Sequence, residues 1–336
     1  RVVVHLFDAA VTAGRSTALT PPDPAPPPAP PETDLARLLA DLAAGKKVSL
    51  LVAPAAQRHF GDHRQLFSVL RRWGLQGFYN VLRYADIVVW AYRQQLEIRR
   101  GESLIASACP AVTLHVLRQK QKLQPLLMPV VSPVVAAAIY LRKYRGVAES
   151  FAFLTPCVCK RQEIDLYGRA KTGIEYCVTI RELQQQLLQS GEQIDSLPPV
   201  DYTDAAEPFA GESLSVFGGI GACLSRAIGG FRYRQASGAG TVYPLLDSLA
   251  LALATDEVLA DLLELNHCCR GCDGGAGIGP AWPFSLQQPP ERLMGSVAKQ
   301  TLPNVWRCFD ETLAAADFAW PIDQVKTTIL SEGRKN

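Results

Sequence analysis

The 336-residue chain lacks an excess of charge of either sign. Its 34 Lys and Arg stand against 32 Asp and Glu, a net charge of +2. No basic field therefore points to nucleic acid, and no acidic tail to a cationic partner. A long unbroken apolar run is also missing. The longest, PLLMPVVSPVVAAAIYL at Pro125–Leu141, is interrupted by Pro129, Ser132 and Pro133, which excludes a clean membrane span and reads as core. No signal peptide is visible, although the chain opens on Arg1 rather than Met, which leaves a leader or an upstream domain open. No Ser–His–Asp set stands out. The glycine runs GGIGA (218–222) and GGAGIG (274–279) lack the Lys-Ser/Thr pair or the downstream acidic residue of a phosphate loop. His59 and His63 stand four apart with no carboxylate pattern to complete a metal site.

What is present is an ordinary globular composition, 48% hydrophobic and 20% charged, long enough for two domains or one large α/β unit. Nine cysteines are the unusual feature. Their odd number and tight spacing (Cys157 with Cys159; Cys268, Cys269 and Cys272) suit a metal or cluster better than a disulfide framework. A reducing compartment follows, and the cytoplasm is the expected location.

Residues 1–32 hold one short apolar run and the stretch PPDPAPPPAPPE, a semi-rigid spacer. Order is expected to resume at Thr33 or Asp34, a helix N-cap for DLARLLADLAA, with Gly45 as the stop. Strand-like and helix-like runs then alternate. Strands are expected at 46–54, 78–83, 103–108, 150–155 and 175–180. Helices are expected at 63–74, 86–100, 111–121, 133–144 and 181–190. Residues 191–245 read mainly as long loop, and LADLLELN (259–266) as a strand. The alternation predicts an α/β fold of two lobes, with parallel or mixed β-sheets flanked by helices and the site between the lobes.

Three strand-like runs end at a cysteine: ASAC at Cys109, LTPC at Cys157, and LNHC at Cys268, with Cys272 four residues later. Ligands collect at the carboxyl ends of parallel strands, and four thiolates suit a tetrahedral zinc or an iron–sulfur cluster. A strand-end cysteine is also commonly a buried apolar residue. Two of the four thiols come singly from distant loops rather than from paired CxxC knuckles, which tilts the choice toward a cluster. Cys177, Cys223 and Cys308 read as core thiols, Cys159 and Cys269 as spare thiols beside the site, and His267 as a neighbour. The glycines after Cys272 are expected to clear space for a bulky inorganic group.

These loops resemble the catalytic-domain signatures of the iron-only (FeFe) hydrogenases. SACPA at Ser107–Ala111 is similar to the family's TSCCPG, FLTPCVCKRQE at Phe153–Glu163 to MPCxAKKxE, and ELNHCCRGCDGGAG at Glu264–Gly277 to ExMxCPGGCxxGGG. VAPA (52–55) and Ser132-Pro133 also fall in family order. The resemblance implies a 4Fe–4S cluster on Cys109, Cys157, Cys268 and Cys272, with Cys272 bridging to a two-iron unit that carries CO and cyanide. It implies that Lys160 contacts a cyanide, that Ala53 and Pro54 pack the opposite side, and that a ferredoxin-like electron carrier or a signalling protein is the partner. The implied domain spans 33–300, in lobes of roughly 33–145 and 146–280, followed by a helical tail at 301–336.

The departures bear on activity. Ala108 stands where active enzymes carry a proton-passing cysteine, and Thr155 where they carry methionine. Ala91 and Tyr92 stand where a carboxylate relay is expected, and residues 1–45 hold no cysteine for a ferredoxin-like domain. With Ala108, the third loop and the run SPVVAAAIYLRKY, the chain resembles the family's sensory subgroup more closely than its turnover enzymes. Three functions follow as expectations: a cluster protein for redox or hydrogen sensing or electron transfer with turnover weakened or lost; an active hydrogenase with another proton route; or a non-enzymatic relative serving iron–sulfur assembly.

Overall fold

The computed structural model describes residues 33–60, 63–192, 197–205, 209, 218–252, 260–280 and 302–322. The proline-rich segment lies outside them, as do residue 301 and residues 323–336 of the expected C-terminal tail. The strands are β1 (Val48–Val52), β2 (Phe78–Asn80), β3 (Leu104–Ile105), β4 (Ser150–Thr155), β5 (Ile174–Thr179), β6 (Tyr233–Ser237), β7 (Leu262–Asn266) and a short β8 (Cys269–Cys272). The helices up to the middle of the chain are α1 (Asp34–Ala43), α2 (Pro54–Phe60), α3 (His63–Arg72), α4 (Val81–Ile98), α5 (Pro110–Gln119) and α6 (Pro133–Lys143). After them come α7 (Lys160–Tyr167), α8 (Arg169–Thr172), α9 (Ile180–Ser190), α10 (Gly219–Ala227), α11 (Ala239–Ala252) and α12 (Leu302–Thr312).

Two parallel sheets result, one ordered β2-β1-β4-β5 and the other β3-β7-β6. Parallel strands covered on both faces read as continuous apolar runs, as VSLLV in β1 and SFAFLT in β4 do. Alternation then divides their side chains between two cores. Leu51, Phe151 and Phe153 face α4, α6 and the second sheet, whereas Leu50, Val52, Ala152 and Leu154 face α1, α3 and α9. The long helix α4 is the common wall: Tyr84, Trp90 and Tyr92 on it are fully buried, and Trp90 Nε1 donates to Asp310 of α12 at 2.7 Å.

Most elements lie where the sequence places them. Thr33 caps α1, accepting the Ala36 N–H at 3.1 Å, and Gly45 takes a φ of 85° past its end. Four differences have physical causes. The strand expected at 78–83 stops at Asn80, whose side chain caps α4 by accepting the Leu82 N–H at 3.1 Å. The strand expected at 103–108 stops at Ile105, and Ser107 N–H is taken instead by Tyr92 Oη at 2.8 Å. The stretch expected to be mainly loop holds α10, β6 and the start of α11. Its glycines hide a helix that must pass close to Tyr233: a Cβ on Gly221 would lie 2.2 Å from that ring. β6 is the polar, half-exposed edge of its sheet, so it lacks an apolar run. Finally, the sheets cross the division expected at 145/146, since β1 pairs with β4 and β3 with β7. No helix among the described residues is long and apolar enough to cross a membrane.

The segment 197–205 straps the β2 edge. Thr203 N–H donates to Phe78 O at 2.8 Å, Phe78 N–H to Thr203 Oγ1 at 3.0 Å, and Asn80 N–H to Asp204 Oδ2 at 3.0 Å. Asp204 therefore anchors the start of α4. Burial raises its pKa from 3.8 to about 6, against the opposing pull of Tyr84, Arg83 and the Asn80 amide; Tyr79 and Tyr202 lie beside it. A carboxyl that holds its proton more tightly when folded contributes most below the unfolded value and loses that contribution as pH rises through about 6. Asp204→Asn is expected to exceed the native chain in stability by about 2–3 kcal/mol at pH 8 and to match it near pH 3.5. Urea unfolding at both pH values tests this, and parallel pH profiles would refute it.

Candidate metal centre

The carboxyl ends of strands from both sheets meet at one place. β1 leads into Ala53 and Pro54, β4 into Pro156 and Cys157, β3 into Ala108 and Cys109, and β7 into Cys268. Cys109 is the N-cap residue of α5, with Pro110 at its first position, and Cys159 is the N-cap residue of α7. Two helix N-termini therefore approach the same thiols, where the partial positive charge of the unpaired N–H groups favours thiolate and bound anion. Thr155 completes the second loop by accepting the Cys157 N–H on its hydroxyl at 3.1 Å.

Cys109 and Cys157 lie within electrostatic reach of each other and of both Cys268 and Cys272. Burial raises the Cys109 thiol pKa, opposed by the His267 and Val112 amides that bear on its sulfur, and Cys157 raises it further. Burial also raises Cys268, with Cys157 and Cys109 adding to the shift. Cys157 shares a hydrogen bond with Cys159 that favours thiol on the former and thiolate on the latter. Cys272 retains accessible surface, yet burial pushes its pKa up to about 12; that surface opens onto an internal cavity. Four neighbouring thiols that resist ionising together suit a bound cation, which would relieve their mutual repulsion. Among the described residues no three His, Cys, Asp or Glu side chains converge as ligands of a single ion do. A cubane takes one thiolate on each iron, and four cysteines from three separate loops are a donor set that fits it.

The cavity has a volume of about 130 Å³. Ala53, Pro54, Ala108, Cys157, Lys160 and Cys272 line it, and apolar residues of α4 and α6 close it. Lys160 Nζ bonds Glu163 at 2.6 Å and lies 3.4 Å from the Ala108 carbonyl. Burial works against its charge, but Glu163 outweighs it and the lysine pKa is raised. The site thus holds a firm cation. Arg58 at the rim grips Asp273, the residue after Cys272, through Nε at 2.9 Å.

Two of the glycines after Cys272, Gly275 and Gly277, let the third cysteine loop lie on the second. A Cβ on Gly275 would come 2.2 Å from the Pro156 carbonyl oxygen, one on Gly277 within 2.9 Å of the same group, and Gly277 N–H donates to that oxygen at 2.8 Å. The run GGIGA likewise serves a carboxylate. Glu264, which also lines the cavity, accepts the Gly221 N–H at 2.9 Å. Burial raises its pKa against the amides of Gly221, Ile220 and Gly218. Sequence reasoning missed Glu264, although it opens the third motif and was the available signal. Tyr243 was also missed: it lies on α11, inside the stretch read as loop.

Cys177 and Cys223 are buried as expected, but Cys308 is exposed, because it lies on the outer side of α12, whose Val305, Trp306 and Phe309 face inward. Cys269 is exposed beside the site. His267 Nδ1 is engaged by Tyr243 at 2.8 Å. His59 turns to Gln184 at 3.4 Å, whereas His63 packs on Phe67 and Tyr202, so the two histidines do not converge.

No curated protein sequence matches the chain. Solved structures do. A variant of the FeFe-hydrogenase HydA1 from Chlamydomonas reinhardtii is 17% identical with a TM-score of 0.69, covering 86% of this chain and 98% of its own. An apo variant of the same algal protein is 17% identical with a TM-score of 0.68 and the same coverage. HydA(deltaEFG), studied for stepwise H-cluster assembly, is 17% identical with a TM-score of 0.67, again covering 86% and 98%. At these identities the likeness shows a shared fold, that of the FeFe-hydrogenase catalytic domain. The sequence profile described as "Iron only hydrogenase large subunit, C-terminal domain" matches residues 46–230, more than half of the chain. The chain therefore belongs to the family formed by the C-terminal domain of the iron-only hydrogenase large subunit.

Proposed function

We propose that this protein binds a 4Fe–4S cluster through Cys109, Cys157, Cys268 and Cys272 and serves redox or hydrogen sensing or electron transfer, with hydrogen turnover weakened or lost. The observation that carries this reading is a contrast within one site. The thiols of Cys157 and Cys272 bear on that of Cys109, while Ala108, at the position of the family's proton-passing cysteine, has no titratable group. Tyr92 and Ser107, on the line of the family's relay, form a closed tie. Tyr92 Oη lies 3.0 Å from Ser107 Oγ and accepts the Ser107 N–H at 2.8 Å, and Ser107 Oγ donates to Val130 O at 2.6 Å. Burial raises the Tyr92 pKa, so the phenol stays neutral, whereas general acid–base transfer needs a group that titrates near the working pH.

When bound, the cluster supplies one-electron redox chemistry. The chain's own residues do the rest. The four cysteines would hold it, the N-termini of α5 and α7 would offset the thiolate charge, and Ala53, Pro54 and the apolar residues of α4 and α6 would keep water away. Lys160 would offer a cation and N–H donors to an anionic group in the cavity. That cavity, beside Cys272, favours a second reading in which a two-iron unit with CO and cyanide is also bound. A ferredoxin-like carrier or a signalling protein is the proposed partner.

Anaerobic reconstitution with iron and sulfide is expected to yield about four irons per chain and the EPR signal of a reduced cubane. Substantially less iron with no signal would refute cluster binding. Gly275→Ala, which drives a methyl group into the Pro156 backbone at a cost of about 1–3 kcal/mol, is expected to lower retained iron while far-UV circular dichroism is preserved; undiminished iron would argue against the loop contact. After loading with the two-iron unit, seen by its infrared bands, Ala108→Cys is expected to raise hydrogen evolution about 10²-fold, the lower end for a restored acid–base group. Equal rates in the two loaded proteins would show that Ala108 is not the block.

A further inference from the structure

The outer face of the cysteine pocket carries a polar bridge that the family signatures do not include. Tyr243 on α11 contacts both parts of the site supplied by the second sheet. Its hydroxyl bonds His267 Nδ1 at 2.8 Å, on the turn that presents Cys268. Its ring packs against His115 of α5, centroids 4.4 Å apart, on the helix that begins beside Cys109. The phenol lies within electrostatic reach of Cys109, Cys159 and Cys268. The His267 backbone N–H, in turn, bears on the Cys109 sulfur.

The N-terminal end of α11 is tied to the same loop at two further points. Gly238 N–H donates to Asn266 O at 3.0 Å, and Ser237 Oγ donates to Cys269 O at 3.0 Å. Gly238 has a φ of 90°, and a Cβ there would lie 3.1 Å from Cys269 Sγ. The turn bearing His267 is thus clamped from its outer side, and the Tyr243–His267 bond fixes the imidazole within it. Hydrogen bonds to cluster sulfurs and solvent exposure set iron–sulfur potentials. A donor to a thiolate sulfur favours the reduced, more negative state.

We infer that Tyr243 and His267 act as positioning residues that set the reduction potential of the cluster, by holding the turn whose His267 amide bears on the Cys109 sulfur. The inference rests on the cluster-binding reading. Its test is an EPR-monitored redox titration of the reconstituted full chain alongside Tyr243→Phe, His267→Ala and His267→Asn. Tyr243→Phe keeps the ring against His115 and removes only the hydroxyl. It and His267→Ala are expected to lower the potential by about 59 mV, a tenfold change in a one-electron equilibrium, with iron content and melting temperature unchanged. His267→Asn retains a short acceptor for the phenol and is expected to recover most of the shift. Fully loaded variants with the native potential would overturn the inference while leaving the cluster reading intact. Loss of iron from Tyr243→Phe without a change in potential would also overturn it, assigning the pair a merely structural role. A native chain that takes up no cluster would overturn both, and that result is seen before any variant is compared.

Discussion

The hydrogen bond from Gly277 N–H to the Pro156 carbonyl, at 2.8 Å, is the contact on which the arrangement of the site depends. Pro156 follows β4 in one sheet, and the Gly277 loop follows β7 in the other. Each sheet alone could present only part of the thiol set: Cys157 belongs to the first, and Cys109, Cys268 and Cys272 to the second. The backbone-to-backbone approach that joins them leaves no room for a Cβ at Gly275 or Gly277. Rigid sheets thus fix the strand ends, the shared core around α4 and α6 joins the sheets, and this glycine-mediated contact seats the two cysteine loops on each other. A constellation built this way holds its geometry better than one carried on free loops.

The same constraint explains what was legible in the sequence. Strands buried on both faces, VSLLV and SFAFLT, declared themselves by unbroken apolarity, and the amphipathic helices around them by their period. The cysteines at strand ends could be seen because a parallel sheet delivers such ends to one side. What stayed hidden was whatever depends on tertiary neighbours. Gly221 reads as a helix breaker until Tyr233 is placed beside it, and β6 reads as loop because an edge strand needs no apolar stripe. The glycines after Cys272 announced that something comes close, but the sequence could not say that the close object is Pro156.

Glu264 shows how such hidden dependence reaches function. Its carboxylate would be costly beside an apolar cavity, and the N–H groups at the start of α10 stabilise it there. That helix is therefore held by a polar group at the site as well as by its buried Ile220, Cys223 and Leu224. The cavity gains a fixed acceptor near Cys272 while Lys160, tied to Glu163, supplies the opposing charge. Both charges are held by partners outside the cavity, so neither is free to wander toward the other.

This pinning bears on why the chain keeps a cluster pocket while departing from the family at its proton-handling positions. A proton relay needs groups that change partners, and changing partners needs a little space. Around Ala108 the chain does the opposite. Tyr92 and Ser107 are fully buried, Ser107 is bonded on both its amide and its hydroxyl, and the strand ladder is given up at Ile105 to make this possible. The lost ladder positions and the added phenol replace a mobile path with a rigid one. A site so fixed can still change charge when an electron arrives, because an electron needs no rearranged hydrogen bond to enter. On the proposed reading, Ala91, Tyr92 and Ala108 together leave a rigid path beside Cys109, one that suits an electron better than a proton.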